Sequence, residues 1–260
     1  MTEYSWLIAP ITIGLFALVS NIILGRQVLL RGVVFIDLAM AQVAALAMVL
    51  VELYSGLETN VFIKLIASCL LTLPTALLLV YLERHLAAHL EALIGLLYVV
   101  AACLAVNLIS TQAHGKELID SLLNGRLLWA DTRDIWPVAV VTIILCWVNW
   151  QKSAWLTGPT FYVLFAFAIP PLVISLGVYL EFAALIMPAL FALLFKPSQY
   201  WWAAFGIGLT GGAIGFFTSL WWDYPLGPSV VIAMASFGIL GALCYWRLTV
   251  VKRPYSCVKQ

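Results

Sequence analysis

The chain has 260 residues, of which 64% are hydrophobic and only 10% charged, with a mean hydropathy of +1.06. A soluble domain of this length has no core large enough to hide so much apolar side chain, so the surroundings are lipid. A net charge of +1 leaves no basic excess that would serve a nucleic acid.

The predicted fold class is all-α: a single transmembrane domain over residues 1–260, built as a polytopic helical bundle of eight or nine spans. Helices are expected because backbone groups in hydrocarbon must find their partners internally. Roughly 20 apolar residues cross the layer. Such runs lie near 6–24, 32–51, 61–81, 92–110, 135–149, 160–180, 182–195, 201–220 and 227–246.

The first run, WLIAPITIGLFALVSNIIL, is as long as a span and is preceded only by Glu3 as a charge, so it reads as a span rather than a signal peptide. The second, GVVFIDLAMAQVAALAMVLV, carries Asp37 and Gln42. A charge within the bilayer faces the bundle interior or water, which makes Asp37 a candidate for a transport path. Gln42 stands about 140° from it around the helix, so both reach one path only if it runs obliquely. The alternative for Asp37 is an interhelical hydrogen bond or an ion pair with Arg31.

After the third run, ERHLAAHLE sets His85 and His89 four apart, a spacing that suits a divalent metal on one helix face but equally an exposed turn. The longest connection, HGKELIDSLLNGRLLWADTRD, places Leu118, Ile119, Leu122 and Leu123 on one face with Gly125 as a stop. This predicts an amphipathic helix that either docks a partner or acts as a lid. The fifth run is short. The seventh is short and contains Pro188, so a broken or re-entrant helix is expected there.

In the eighth run, GIGLTGGAIG offers the frames Gly208/Gly212 and Gly211/Gly215 for close helix packing. No strand precedes it and no lysine follows, so it is not a nucleotide loop. The five cysteines form no paired spacing and read as small packing residues. There is no HExxH and no nucleophile motif, so no enzyme activity and no cofactor are expected.

With the N-terminus outside, nine of the 13 basic residues fall inside: Arg26, Arg31, Arg84, Lys152, Lys196, Arg247, Lys252, Arg253 and Lys259. That excess predicts an outer N-terminus and a cytoplasmic C-terminus. The acids agree, with Glu181 among those expected outside.

Four segments, in order, resemble the permease subunits of ABC importers for zinc, manganese and iron. They are LLRGVVFIDLAMAQVAALA, DSLLNGRLLWADTRDI, GVYLEFAALIMPALFALL and SLWWDYPLGPSVVIAMA. The second matches the family's S-Y-L-F-G loop at Ser121, Leu123 and Gly125. The third matches its helix segment at Gly177, Leu180, Leu185, Pro188, Ala189 and Ala192. The fourth matches at Ser219, Asp223, Pro225 and Gly227. The likeness runs from residue 10 to 246.

The resemblance implies a multi-pass permease of the cell (inner) membrane that moves a divalent metal, zinc or manganese. It would be energised by a separate cytoplasmic ABC ATPase, fed by an extracytoplasmic metal-binding protein, and act as a homodimer in the lipid bilayer. On this reading Asp37 is the metal-meeting residue, Asp37 and Gln42 line the path, and Asp120, Leu123, Gly125 and Arg126 form the outer docking loop. Two departures stand out. The family's histidine four residues after the aspartate is Ala41 here, and its cytoplasmic F-D-x-x-x-A-x-x-x-G stretch is replaced by NWQKSAWLTGP. The rival reading is a proton- or ion-coupled secondary transporter.

Overall fold

The computed structural model describes residues 5–55, 60–110, 112, 115–151, 155–156 and 158–251. Within these, ten α-helices and several short 3-10 turns make up the regular structure. They are α1 (Ile8–Arg31), α2 (Ile36–Ser55), α3 (Val61–His85), α4 (Leu90–Ser110), α5 (Gly115–Asn124), α6 (Ile135–Gln151), α7 (Thr160–Leu176), α8 (Val178–Ala192), α9 (Tyr200–Trp222) and α10 (Leu226–Val251).

Seven of the described helices are long and apolar enough to cross a membrane, and α7 with α8 forms a pair bent by 118°, so the count is seven, or eight with the pair taken as one. The runs expected near 160–180 and 182–195 are thus the two arms of one bent pair rather than two separate full-length spans. At 1.5 Å per residue, α7 and α8 are only about 25 Å and about 22 Å long, short of a layer about 30 Å thick. The break falls at Gly177 (φ 80) rather than at Pro188, which lies inside α8. Glu181 is therefore a helical, fully buried residue and not part of an outer loop.

Contacts fix how the bent pair runs. Arg31, at the end of α1, bonds the Gly158 carbonyl just before α7. The far end of α7 meets the loop after α5, where Gly125 and Gly177 touch. After α8, Tyr200 opens α9 beneath the guanidinium of Arg26, back at the α1 C-terminal end. The pair thus enters from the Arg31 face of the bundle and returns to it. The other ends follow suit: Ile13 near the start of α1 clusters with Leu127 and Leu226, whereas Gly238 in α10 lies against Phe191 near the end of α8. The start of α1 and the far half of α10 consequently lie toward opposite faces.

The main core wraps α7. Phe161, Tyr162, Phe165 and Ile169 are fully buried among residues of α1, α2, α3 and α6. Large apolar side chains also cover the outside: Leu70, Leu96, Ile143, Trp202 and Ile232 are exposed. That inverted surface is what a lipid-embedded helix bundle requires.

Polar side chains repair the backbone where proline interrupts it. Pro170 has no N–H, which leaves the Ala166 carbonyl without its helical donor. Thr72 of α3 supplies that donor at 2.9 Å. The glycines of α9 serve packing, with Gly211 and Gly215 facing Met234 and Val230 of α10 and Gly208 facing Leu18 of α1.

Candidate translocation site

Two glycine turns each begin a helix whose first turn holds an acid. Gly32 (φ 71) ends α1 in the left-handed region, and α2 then carries Asp37 in its first turn. Gly177 precedes α8, where the Glu181 amide donates to the Gly177 carbonyl at 3.0 Å. The positive end of a helix dipole is a favourable place for a carboxylate. Both side chains are nevertheless completely buried.

Helix packing brings them together. α8 lies along α1 because Gly25 has no side chain: a Cβ there would sit 2.0 Å from the Leu185 carbonyl oxygen. One turn earlier on α1, the Asn21 amide donates to Glu181 Oε2 at 3.0 Å. The helix that carries Glu181 also packs against α2, which carries Asp37. Both Asp37 oxygens, Glu181 Oε1 and Asn21 Oδ1 have no hydrogen-bond partner among the described residues. Burying polar oxygens without partners costs free energy that a purely structural core avoids.

The pairing of Asp37 with Arg31, the structural alternative, does not form. Arg31 Nη1 meets Glu83 Oε1 at 3.2 Å, and Nη2 donates to the carbonyls of Leu156 at 3.3 Å and Gly158 at 2.6 Å. Its guanidinium lies over the rings of Phe161 and Tyr162. Gln42 is also buried, five residues along α2. The cluster the fold assembles is Asn21, Asp37 and Glu181, of which sequence reasoning found only Asp37. The available signal for Glu181 was the glycine four residues before it, which starts a helix rather than closing a loop.

The long connection between α4 and α6 behaves as its periodicity implied. Leu118, Ile119, Leu122 and Leu123 of α5 pack against the bundle. Leu123 and Gly125 are turned inward: Gly125 (φ 73) leaves a Cβ only 2.2 Å from the Leu176 carbonyl carbon, and Arg126 N–H donates to the Ser175 carbonyl at 3.3 Å. Asp120 and Arg126 are exposed, and Asp120 accepts from Asn124 at 2.6 Å. Arg126 borders a cleft of 510 Å³ together with Asp131, Arg133 and Asp134.

The histidine spacing has no matching geometry. α3 ends at His85, whose ring stacks on Tyr81, and His89 belongs to a separate 3-10 turn. Among the described residues, no group of three or more His, Cys, Asp or Glu side chains is arranged to hold a metal ion. The Asn21–Asp37–Glu181 cluster offers oxygen donors alone.

A bundle of several membrane-length helices with a half-length hairpin between them defines a multi-pass membrane protein. The model of the ABC 3 transport family matches residues 3–158 and 152–245, and the chain belongs to that family. Its fold is similar to that of PsaBC from Streptococcus pneumoniae in complex with Fab, with a TM-score of 0.74 at 19% identity over 92% of this chain and 91% of that one. No curated protein matches the chain.

Proposed function

We propose that this chain is the membrane-spanning subunit of an ABC importer in the cell (inner) membrane, and that it passes a divalent metal ion between Asp37 and Glu181. The observation that carries the reading is the buried acidic pair, with three oxygens that have no partner among the described residues, beside the equally unpartnered Oδ1 of Asn21. A divalent cation neutralises both carboxyl groups at once and accepts oxygen ligands. Carboxylate and amide oxygens suit manganese better than zinc, whose preferred imidazole and thiolate donors are missing. Manganese is therefore the favoured cargo. The set is small and incomplete, as a site that must also release its ion requires.

On this reading the Arg31 face is cytoplasmic, where a separate ATPase docks against the α6–α7 connection. The Gly125 face receives a metal-binding protein on the exposed Asp120 and Arg126, with Leu123 and Gly125 holding the loop in place. Gln42 extends the path along α2, and two copies of the chain work as a dimer. A proton-coupled secondary transporter would also use two buried carboxyl groups, but family membership favours the ATP-driven reading.

The test is uptake of manganese and zinc by cells carrying Asp37→Asn or Glu181→Gln, each nearly isosteric. Both variants are expected to reach normal abundance and lose metal uptake. Normal uptake in both would refute the proposed path.

A further inference from the structure

Arg31 gathers more partners than any anchoring role at a helix end needs. Its guanidinium joins the end of α1 to Glu83 near the end of α3, to the carbonyls of Leu156 and Gly158 before α7, and to the ring faces of Phe161 and Tyr162 in the first turn of α7. Only arginine meets all of these, since its planar fork carries donors along its edge while its face stacks on an aromatic ring. The side chain is 14% exposed, so these contacts form mostly out of water.

The described residues of the connection it holds are tied to the bundle and to the start of α7. Leu156 is fully buried in the main core. The Gly158 carbonyl also accepts from Phe161 N–H at 3.1 Å, and Thr160 Oγ1 donates to the Trp155 carbonyl at 2.8 Å. Movement of this segment therefore pulls directly on Arg31. Arg31 is the last residue of α1, and the left-handed Gly32 turn leads straight into the helix bearing Asp37. The α2 end of that turn is held as well: Glu91 Oε1 accepts from Phe35 N–H at 3.2 Å.

We infer that Arg31 is a positioning residue that couples displacement of the α6–α7 connection to the α1–α2 turn and so to the Asp37–Glu181 pair. This rests on the proposed docking of the ATPase at that connection. Among the described residues Arg31 bonds to neither acid of the pair, and it acts through the backbone between positions 31 and 37. Glu83 sets the angle of the guanidinium and belongs to the same device.

The experiment uses the permease with its partner ATPase in proteoliposomes, measuring manganese moved and ATP hydrolysed together. Arg31→Lys keeps the charge and removes the fork and the stacking; Glu83→Gln removes the ion pair and nearly conserves shape. Both are expected to retain the ATPase on co-purification and to hydrolyse ATP within about twofold of the parent, while ions moved per ATP fall about tenfold, within the usual range for coupling between sites. An unchanged transport-to-hydrolysis ratio in both overturns the inference. Loss of ATPase binding in either overturns it too, because Arg31 and Glu83 would then belong to the docking surface. A parent permease that neither binds an ATPase nor moves metal with ATP would instead overturn the importer reading, and the coupling role with it.

Discussion

Asn21 on α1 donates a 3.0 Å hydrogen bond to Glu181 on α8, and these two residues lie 160 positions apart in the chain. Among the described residues this bond is the one hydrogen bond to Glu181's carboxylate, since Oε1 has no partner there. Asn21→Ala is expected to lower stability by ~1–3 kcal/mol, the cost of leaving a buried acceptor unmet. In the Glu181→Leu background, where the acid is gone, the same change should cost far less. Thermal unfolding of the four proteins in detergent measures the coupling, and additive effects would mean the bond contributes nothing.

Gly25 and Gly14 make a matched pair on one helix. A Cβ at Gly25 collides with the Leu185 backbone, whereas nothing lies within 4 Å of one at Gly14. Gly25→Ala should therefore separate α1 from α8, destabilise the protein by ~1–3 kcal/mol or more, and reduce metal uptake by displacing Glu181. Gly14→Ala should be neutral or stabilising by up to ~1 kcal/mol, because alanine favours a helix. Equal melting temperatures for the two variants would contradict this packing.

Thr72 compensates for a proline on another helix. Thr72→Val preserves shape but strips the donor from the Ala166 carbonyl at a buried site. A loss of ~1–3 kcal/mol is expected, and a second change, Pro170→Ala, should recover part of it by restoring the helical donor. Unfolding curves for the single and double variants decide the point.

Sidedness follows from the proposed orientation. In a background without the five native cysteines, Thr132→Cys should react with a membrane-impermeant maleimide in intact cells. Ala88→Cys, in the exposed turn between α3 and α4, should react only after permeabilisation. The reverse pattern would invert the permease. The C-terminal residues 252–260, which hold three of the basic residues used to orient the chain, lie outside the described residues.

The exposed charges of Asp120 and Arg126 offer a separate check on the proposed docking. Asp120→Lys combined with Arg126→Glu should weaken capture of the extracytoplasmic binding protein most strongly at low salt, since rim charges chiefly tune encounter. Affinity equal to the parent at every salt concentration would remove these residues from the docking surface.

Composition alone fixed that the chain lives in lipid, because no arrangement of 64% hydrophobic residues in one domain of this size is soluble. Hydropathy located the long spans and the amphipathic α5, since both depend on local periodicity. Asp37 was legible for the same reason: a lone acid in an apolar run stands out whatever surrounds it. Glu181 and Asn21 were not legible as a site. Glu181 falls where two apolar runs meet, and a hydropathy window cannot tell a loop from a helix start made by a left-handed glycine. Nor can periodicity reveal that Gly25 lets α8 come within contact of α1, or that Arg31 turns away from Asp37 toward Glu83. Those outcomes depend on which backbones approach closely and which carbonyls lack donors, and only the packed bundle sets either.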